Sequence, residues 1–144
     1  MIFVRAARPE DVKAVFRFIE ELEDEKLNYQ HFERIYLQNL ANVNHFYLVA
    51  ELNDEAIGFI SCHTQLLLHH CGRVGEIQEL FVAAAHRSKK VGQLLIEAIE
   101  RIAVEENWIN LEVTCNKKRV RTHGFYRKND FYGTHLKFVK EIVR

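Results

Sequence analysis

A single proline and six glycines among 144 residues leave little material for linkers, and no Ser-, Pro- or Gly-rich run divides the chain. One domain over residues 1–144 is therefore expected, without internal repeats. Charge of one sign is also missing. Twenty Lys and Arg balance twenty Asp and Glu, so no positive excess points to nucleic acid or an anionic membrane surface as partner. Cysteine is scarce: Cys62, Cys71 and Cys115 are odd in number and lack paired metal-type spacing, which leaves a reducing cytoplasm as the expected compartment. The opening Met1-Ile2-Phe3-Val4-Arg5 lacks the long apolar run of a signal peptide, and no stretch approaches the roughly 20 apolar residues of a membrane span. Aromatic residues fall at core periodicities rather than among basic ones, so they read as core and not as base-stacking platforms.

What is present is a compact alternation of strand and helix patterns. With 48% apolar residues the chain can build one sizeable core. Residues 2–6 read as a strand. Pro9-Glu10-Asp11 then opens a helix with the face Val12, Val15, Phe16, Ile19 and Leu22. Phe32, Ile35, Tyr36 and Leu40 mark a second helix, after an acidic stretch over residues 20–25 that reads as a solvated face. Strand patterns follow over residues 46–52, 56–68 and 75–82. A helix over 90–106, a strand over 109–114, a helix over 118–129 and a last strand over 131–142 complete the order β-α-α-β-β-β-α-β-α-β. This is a mixed α/β sheet, mostly antiparallel, with one crossover that sets the strand near 111 parallel to the one near 79.

The most informative stretch runs from Glu76 to Ile102. The alternating segment Glu76-Ile77-Gln78-Glu79-Leu80-Phe81-Val82 ends in a basic loop, Arg87-Ser88-Lys89-Lys90-Val91-Gly92. Val91, Leu94, Leu95, Ala98, Ile99 and Ile102 then recur at helical spacing. A strand hands the chain to a helix N-terminus, whose unpaired N–H groups and positive dipole end can hold a pyrophosphate while Arg87, Lys89 and Lys90 supply charge.

Strand, Arg87-x-x-Lys90-x-Gly92, then Leu94-Leu95 resembles the acetyl-CoA loop of the GNAT superfamily of N-acetyltransferases, with Lys90 where the family's first glycine stands. Thr122-His123-Gly124-Phe125-Tyr126-Arg127-Lys128-Asn129-Asp130-Phe131 resembles the second family signature. There Thr122 replaces a small apolar residue and Asp130 a glycine, while the Phe-Tyr pair and closing aromatic remain. Arg5-x-Ala7-x-x-x-Asp11 is similar to the family's opening, so the resemblance covers nearly the whole chain. It implies a GNAT fold whose fourth and fifth strands splay to admit acetyl-CoA. Leu80, Phe81 and Val82 would pair with the pantetheine amides as if with another strand. Arg87, Ser88, Lys89, Lys90, Val91, Gly92, Asn116 and Tyr126 complete the implied coenzyme contacts. A homodimer is the family habit, and exposed strand edges agree with it.

Amine acetylation needs a base for the amine proton, donors for the oxyanion and an acid for the thiolate. Tyr126 matches the family acid; its structural alternative is a core aromatic beside Phe125. Glu76 and Glu79 are the candidate bases. Their odd separation puts them on opposite faces of a regular strand, so both can serve only if the strand is bulged. Glu76 is preferred at this stage, with a solvent-facing sheet residue as the alternative. The cysteines lack a histidine arrangement that spacing can place, so direct transfer in a ternary complex is expected.

His63, His69 and His70 form a further candidate cluster, because the turn at Cys71-Gly72 leads back toward Glu76. With that carboxylate they would suit a divalent metal, and with Arg73 a phosphate or phosphonate. Polar residues at a hairpin end are the plain alternative. His63-x-Gln65, Leu68-His69-His70 and Gly75-Glu76-Ile77-Gln78-Glu79-Leu80 resemble the aminoalkylphosphonate N-acetyltransferase branch of the superfamily, which depends on a divalent metal. That resemblance implies a small aminophosphonate as acceptor. Acetylation of a polyamine, antibiotic or peptide amine, or a non-catalytic acetyl-CoA-binding regulatory role, remains the alternative.

Overall fold

The computed structural model describes residues 1–143. Five strands form one open sheet in the order β1-β2-β3-β4-β5, comprising β1 (Ile2–Ala6), β2 (His45–Leu52), β3 (Glu55–Leu67), β4 (Gly72–Val82) and β5 (Asn110–Val113). The first four are antiparallel neighbours, and β5 lies parallel to β4. That change of direction requires a crossover, which α3 (Val91–Glu105) supplies. The remaining helices are α1 (Val12–Glu23), α2 (Tyr29–Leu40) and α4 (Val120–Lys128).

Strand alternation divides the core between the two sheet faces. On one face Val49, Phe59 and Tyr47 pack with Val12, Val15 and Ile19 of α1 and Tyr36 of α2. On the other, Ile60, Cys62 and Ile77 pack with Val91, Leu95, Ile96 and Ile99 of α3, and Tyr126 of α4 joins them. Arg5 forks onto both carboxylate oxygens of Asp11, at 2.8 and 2.9 Å, and onto Glu51 at 3.0 Å. Those bonds tie the start of α1 to β1 and β2. Asn28 caps α2 by accepting the His31 N–H at 2.9 Å.

The junction of β4 with β5 depends on two glycines. A Cβ at Gly75 would meet the Trp108 ring at 2.4 Å, and one at Gly72 would meet Ile109 at 2.6 Å. Residues 108 and 109 can therefore lie directly on β4 as they lead into β5.

The last strand expected from the sequence is not formed. Residues 131–143 have no ladder partner and no regular structure, so the sheet has five strands rather than six. The alternation of Leu136 and Phe138 is a strand pattern, but a strand persists only with a neighbour that satisfies its backbone groups. This segment has none among the described residues.

Replacing Gly75 by Ala is expected to lower stability by about 1–3 kcal/mol, the range for forcing bulk into a packed site. Gly124→Ala, which has open space around its Cβ and lies inside α4, is expected to raise stability by up to about 1 kcal/mol. Urea midpoints of the two variants check both signs.

Candidate active site

The site is organised by one extra residue in β4. Phe59, Ile60 and Ser61 pair with Phe81, Leu80 and Glu79, whereas Cys62 and His63 pair with Ile77 and Glu76. Gln78 is left over as a bulge. An added residue reverses the alternation, so Glu76 and Glu79 share the face that β3 lines with Ser61 and His63. The condition set by their odd spacing is thus met. A signal for it exists in the sequence: the apolar positions packed toward α3 step from Ile77 to Leu80 and Val82, a three-residue stride that a regular strand cannot make.

The bulge also coincides with the end of the β4–β5 ladder. Parallel pairing runs from Val74↔Asn110 to Ile77↔Val113 and stops. Beyond it the β5 side of β4 is unpaired through Val82, while β3 continues to cover the other side. The chain after Val113 departs into residues 114–119 and α4. A gap opens between β4 and β5 of the kind a strand-like ligand can enter.

Glu79 is half-buried. Its carboxylate accepts the Ser61 hydroxyl, and Ser61 Oγ in turn accepts the Glu79 N–H at 3.0 Å. Burial pushes the Glu79 carboxyl above its usual range, Ser61 opposes that shift, and nearby Glu23 adds to it. Glu76 accepts bonds from Gln78 Nε2 and Thr114 Oγ1, each at 3.2 Å. Both candidate bases are thus held by neighbours, and Glu79 is the one whose carboxyl is shifted by burial. Neither Ser61 nor Thr114 carries a motif that would have singled it out.

Tyr126 lies on the opposite face, in the core beside α3. Phe125 and Phe131 each meet its ring edge-on with centroids 5.4 Å apart. Burial pushes its phenol up to about 12, with Cys115 contributing, so the hydroxyl keeps its proton throughout the neutral range. Acid and base candidates therefore flank the β4–β5 gap from its two faces. Burial raises the Cys62 and Cys115 thiols, which suits structural residues rather than nucleophiles.

The basic loop precedes the α3 N-terminus as a 3-10 turn over Ala84–Lys89. Lys90 has φ 59°, in the left-handed region. That conformation is the one a glycine would adopt freely, and for lysine it costs roughly 1–2 kcal/mol. The backbone path thus fits the glycine of the family pattern even though the side chain does not. Gly92 has a different constraint, since a Cβ there would stand 3.1 Å from the Phe125 ring. Arg87 is turned back: its Nε donates to the Val82 carbonyl at 2.9 Å and its guanidinium lies 5.5 Å from the Phe81 ring centroid. Ser88 and Lys89 complete the turn, with Lys89 Nζ 3.3 Å from His86 Nδ1. Asn116 accepts the Lys118 N–H at 2.9 Å and shapes the entry to α4.

The expected histidine cluster is not assembled. His63 stacks on His45 at 3.8 Å between centroids, whereas His69 and His70 lie together in the turn after β3, with His70 Nε2 3.8 Å from Glu112. Among the described residues no group of three or more His, Cys, Asp or Glu side chains is gathered to hold a metal. The residues therefore do not fit the metal site inferred from their spacing. Arg73 is also displaced from the expected role. It pairs on the Thr64 side of the sheet, donating to Thr64 Oγ1 and Asn44 Oδ1 at 3.0 Å each, and that face is opposite Glu76.

An open gap between parallel strands, a phosphate-type loop at a helix N-terminus, and a carboxylate and a phenol on opposite faces of the sheet are features of a coenzyme-dependent group transferase. The acetyltransferase (GNAT) family model matches residues 12–131, and the chain belongs to that family. It is an N-acetyltransferase, and acetyl-CoA is the family's cosubstrate. An aminoalkylphosphonate N-acetyltransferase from Salmonella typhimurium is 36% identical over 139 residues, 96% of this chain and 90% of that relative. A glucosamine 6-phosphate N-acetyltransferase from Candida albicans is 28% identical over 62% of this chain and 59% of its own length. The solved glucosamine-6-phosphate N-acetyltransferase of Arabidopsis thaliana superposes with TM-score 0.83 at 16% identity, covering 99% of both chains. No helix among the described residues is long and apolar enough to cross a membrane.

A carboxyl whose folded pKa is raised favours folding most when protonated. Its contribution is fully present below the unfolded value and is lost as pH rises through the folded one. Glu79→Gln should therefore be more stable to urea than the parent at pH 8, with the advantage shrinking toward pH 5. A constant difference across that window would contradict the burial assigned to Glu79.

Proposed function

We propose that the protein transfers acetyl from acetyl-CoA directly to the primary amine of a small acceptor bearing a phosphorus oxyanion, an aminoalkylphosphonate in the first instance. The observation that carries this reading is the 36% identity to the Salmonella enzyme, which extends over 96% of the chain. The Candida relative, whose name also specifies an amine with a phosphoryl group, supports the acceptor class.

In this reading pantetheine lies along the open side of β4, and the pyrophosphate rests on the N–H groups at the start of α3. The neutral amine attacks the thioester carbon from the face of Glu79. As the C–N bond forms, electron density moves to the carbonyl oxygen, where free N–H groups of β4 beyond the bulge can receive it. Glu79 takes the amine proton. The C–S bond then breaks, and Tyr126 gives its proton to the departing sulfur. Glu76, held by Gln78 and Thr114, orders the acceptor side of the same face. The two stacked histidines bring further polar atoms there, since His45 Nδ1 and His63 Nε2 are buried without a partner.

One observation favours a second acceptor class. The recess at the end of α1 is lined by Glu20, Glu21, Asp24 and Glu25 with Arg17 and Lys26, and its carboxylates would attract a polyamine. Thiol release measured over aminoalkylphosphonates, amino-sugar phosphates, polyamines, aminoglycosides and peptides separates the two. The highest kcat/KM is expected for an aminoalkylphosphonate; a polyamine in first place would overturn that acceptor. No turnover with any amine would favour an acetyl-CoA-binding regulatory role. Tyr126→Phe should lower kcat about a hundredfold with little change in KM, because its proton matters as the thiolate leaves.

A further inference from the structure

Two cross-strand rows lie side by side on the sheet face that carries the candidate bases. In one, Tyr47, Ser61 and Glu79 are successive partners across β2, β3 and β4; in the other, His45, His63 and Glu76 are. The first row holds the base of the proposed transfer. In the second, His45 and His63 stack face to face, with ring centroids 3.8 Å apart and planes 13° from parallel. Glu76 is held on the β5 side of this row by Thr114, so the β2–β3 end of the row carries no carboxylate.

Hydrogen bonding within the chain does not account for the stack. His45 Nδ1 and His63 Nε2 are buried without a partner, whereas buried polar atoms are almost always paired. Apolar side chains would fill the same space without that cost. Burial holds both rings below the ordinary histidine range, with His45 adding to the shift at His63 and Glu76 opposing it. Each ring is therefore uncharged at neutral pH and carries one N–H. On the buried nitrogens that N–H would lack an acceptor. The proton therefore sits on His45 Nε2 and on His63 Nδ1, which are not enclosed, and the pair offers two donors.

The stacking also decides between ligands. Ring N–H bonds and lone pairs lie in the ring plane, so two near-parallel rings cannot converge on one metal ion. A phosphorus oxyanion has three acceptor oxygens and can take one bond from each ring.

We propose that His45 and His63 receive the phosphorus oxyanion of the acceptor, and that their separation from Glu79 selects a short carbon chain between that group and the amine. This rests on the acceptor class proposed above. Ser61, which bonds Glu79, and His63 are two residues apart on β3, about 7 Å along the strand. An acceptor with about two carbons between nitrogen and phosphorus spans the two rows; a much longer one must fold back or leave one row.

Steady-state kinetics on aminomethyl-, aminoethyl- and aminopentylphosphonate, each beside the alkylamine lacking phosphorus, test the site. The parent should prefer aminoethylphosphonate to ethylamine and lose most of that preference with the pentyl chain. His45→Phe and His63→Phe keep a ring and remove its donors. Each should reduce the preference in kcat/KM about tenfold, the scale of one hydrogen bond to a charged group, chiefly through KM for the phosphonate. Circular dichroism and acetyl-CoA calorimetry report whether the variants fold. Should they not, the parent decides: by NMR, the imidazole C–H signals of His45 and His63 should shift with aminoethylphosphonate and not with ethylamine. Folded variants that keep the parental preference, a loss shared equally by ethylamine, or ring signals indifferent to the phosphonate would overturn the histidine site and leave the acceptor class standing. A parent without preference for the phosphonate would overturn the acceptor class, and this site with it.

Discussion

The structure of the site rests on the bulge at Gln78. A regular β4 would place Glu76 and Glu79 on opposite faces and would bury one of them against α3. The extra residue instead turns both toward the α1–α2 face and keeps Leu80 and Val82 in the α3 core. It falls beside Ile77, the last β4 residue paired with β5. One local departure thus sets carboxylate placement at the point where the strands separate. Ser61 reinforces it from β3 through its two bonds with Glu79.

Beyond the gap, the phosphate loop and the acid candidate are mechanically connected. Gly92 at the start of α3 lies under Phe125, and Phe125 meets Tyr126 edge-on. Bulk at position 92 would therefore press on α4 as well as alter the helix N-terminus. Lys90 shows the complementary case. Its left-handed φ keeps the path of the chain, at the expense of a strain that glycine would avoid, and its side chain adds positive charge next to the loop.

Much of this was legible in the sequence because local chemistry and tertiary context agree there. The helix faces, the crossover and the handover from β4 to the basic loop follow from periodicity, and all recur in the fold. The motif singles out Tyr126, which the fold sets between Phe125 and Phe131 in the core. The errors arise where contacts between distant residues decide. His45 meets His63 only through the β2–β3 register, so spacing within one hairpin linked His63 to His69 and His70 instead. Arg73 is expected with the histidines, but alternation sends it to the face opposite His63. The pattern of residues 131–142 is a strand pattern, but it finds no ladder partner among the described residues.

Hydrogen exchange of the backbone with and without acetyl-CoA tests the central geometry directly. Coenzyme seated in the β4–β5 gap should slow exchange at residues 79–82, past the bulge, and at residues 91–93, at the start of α3. Tight binding with both segments unchanged, and protection confined to other surfaces, would contradict the site.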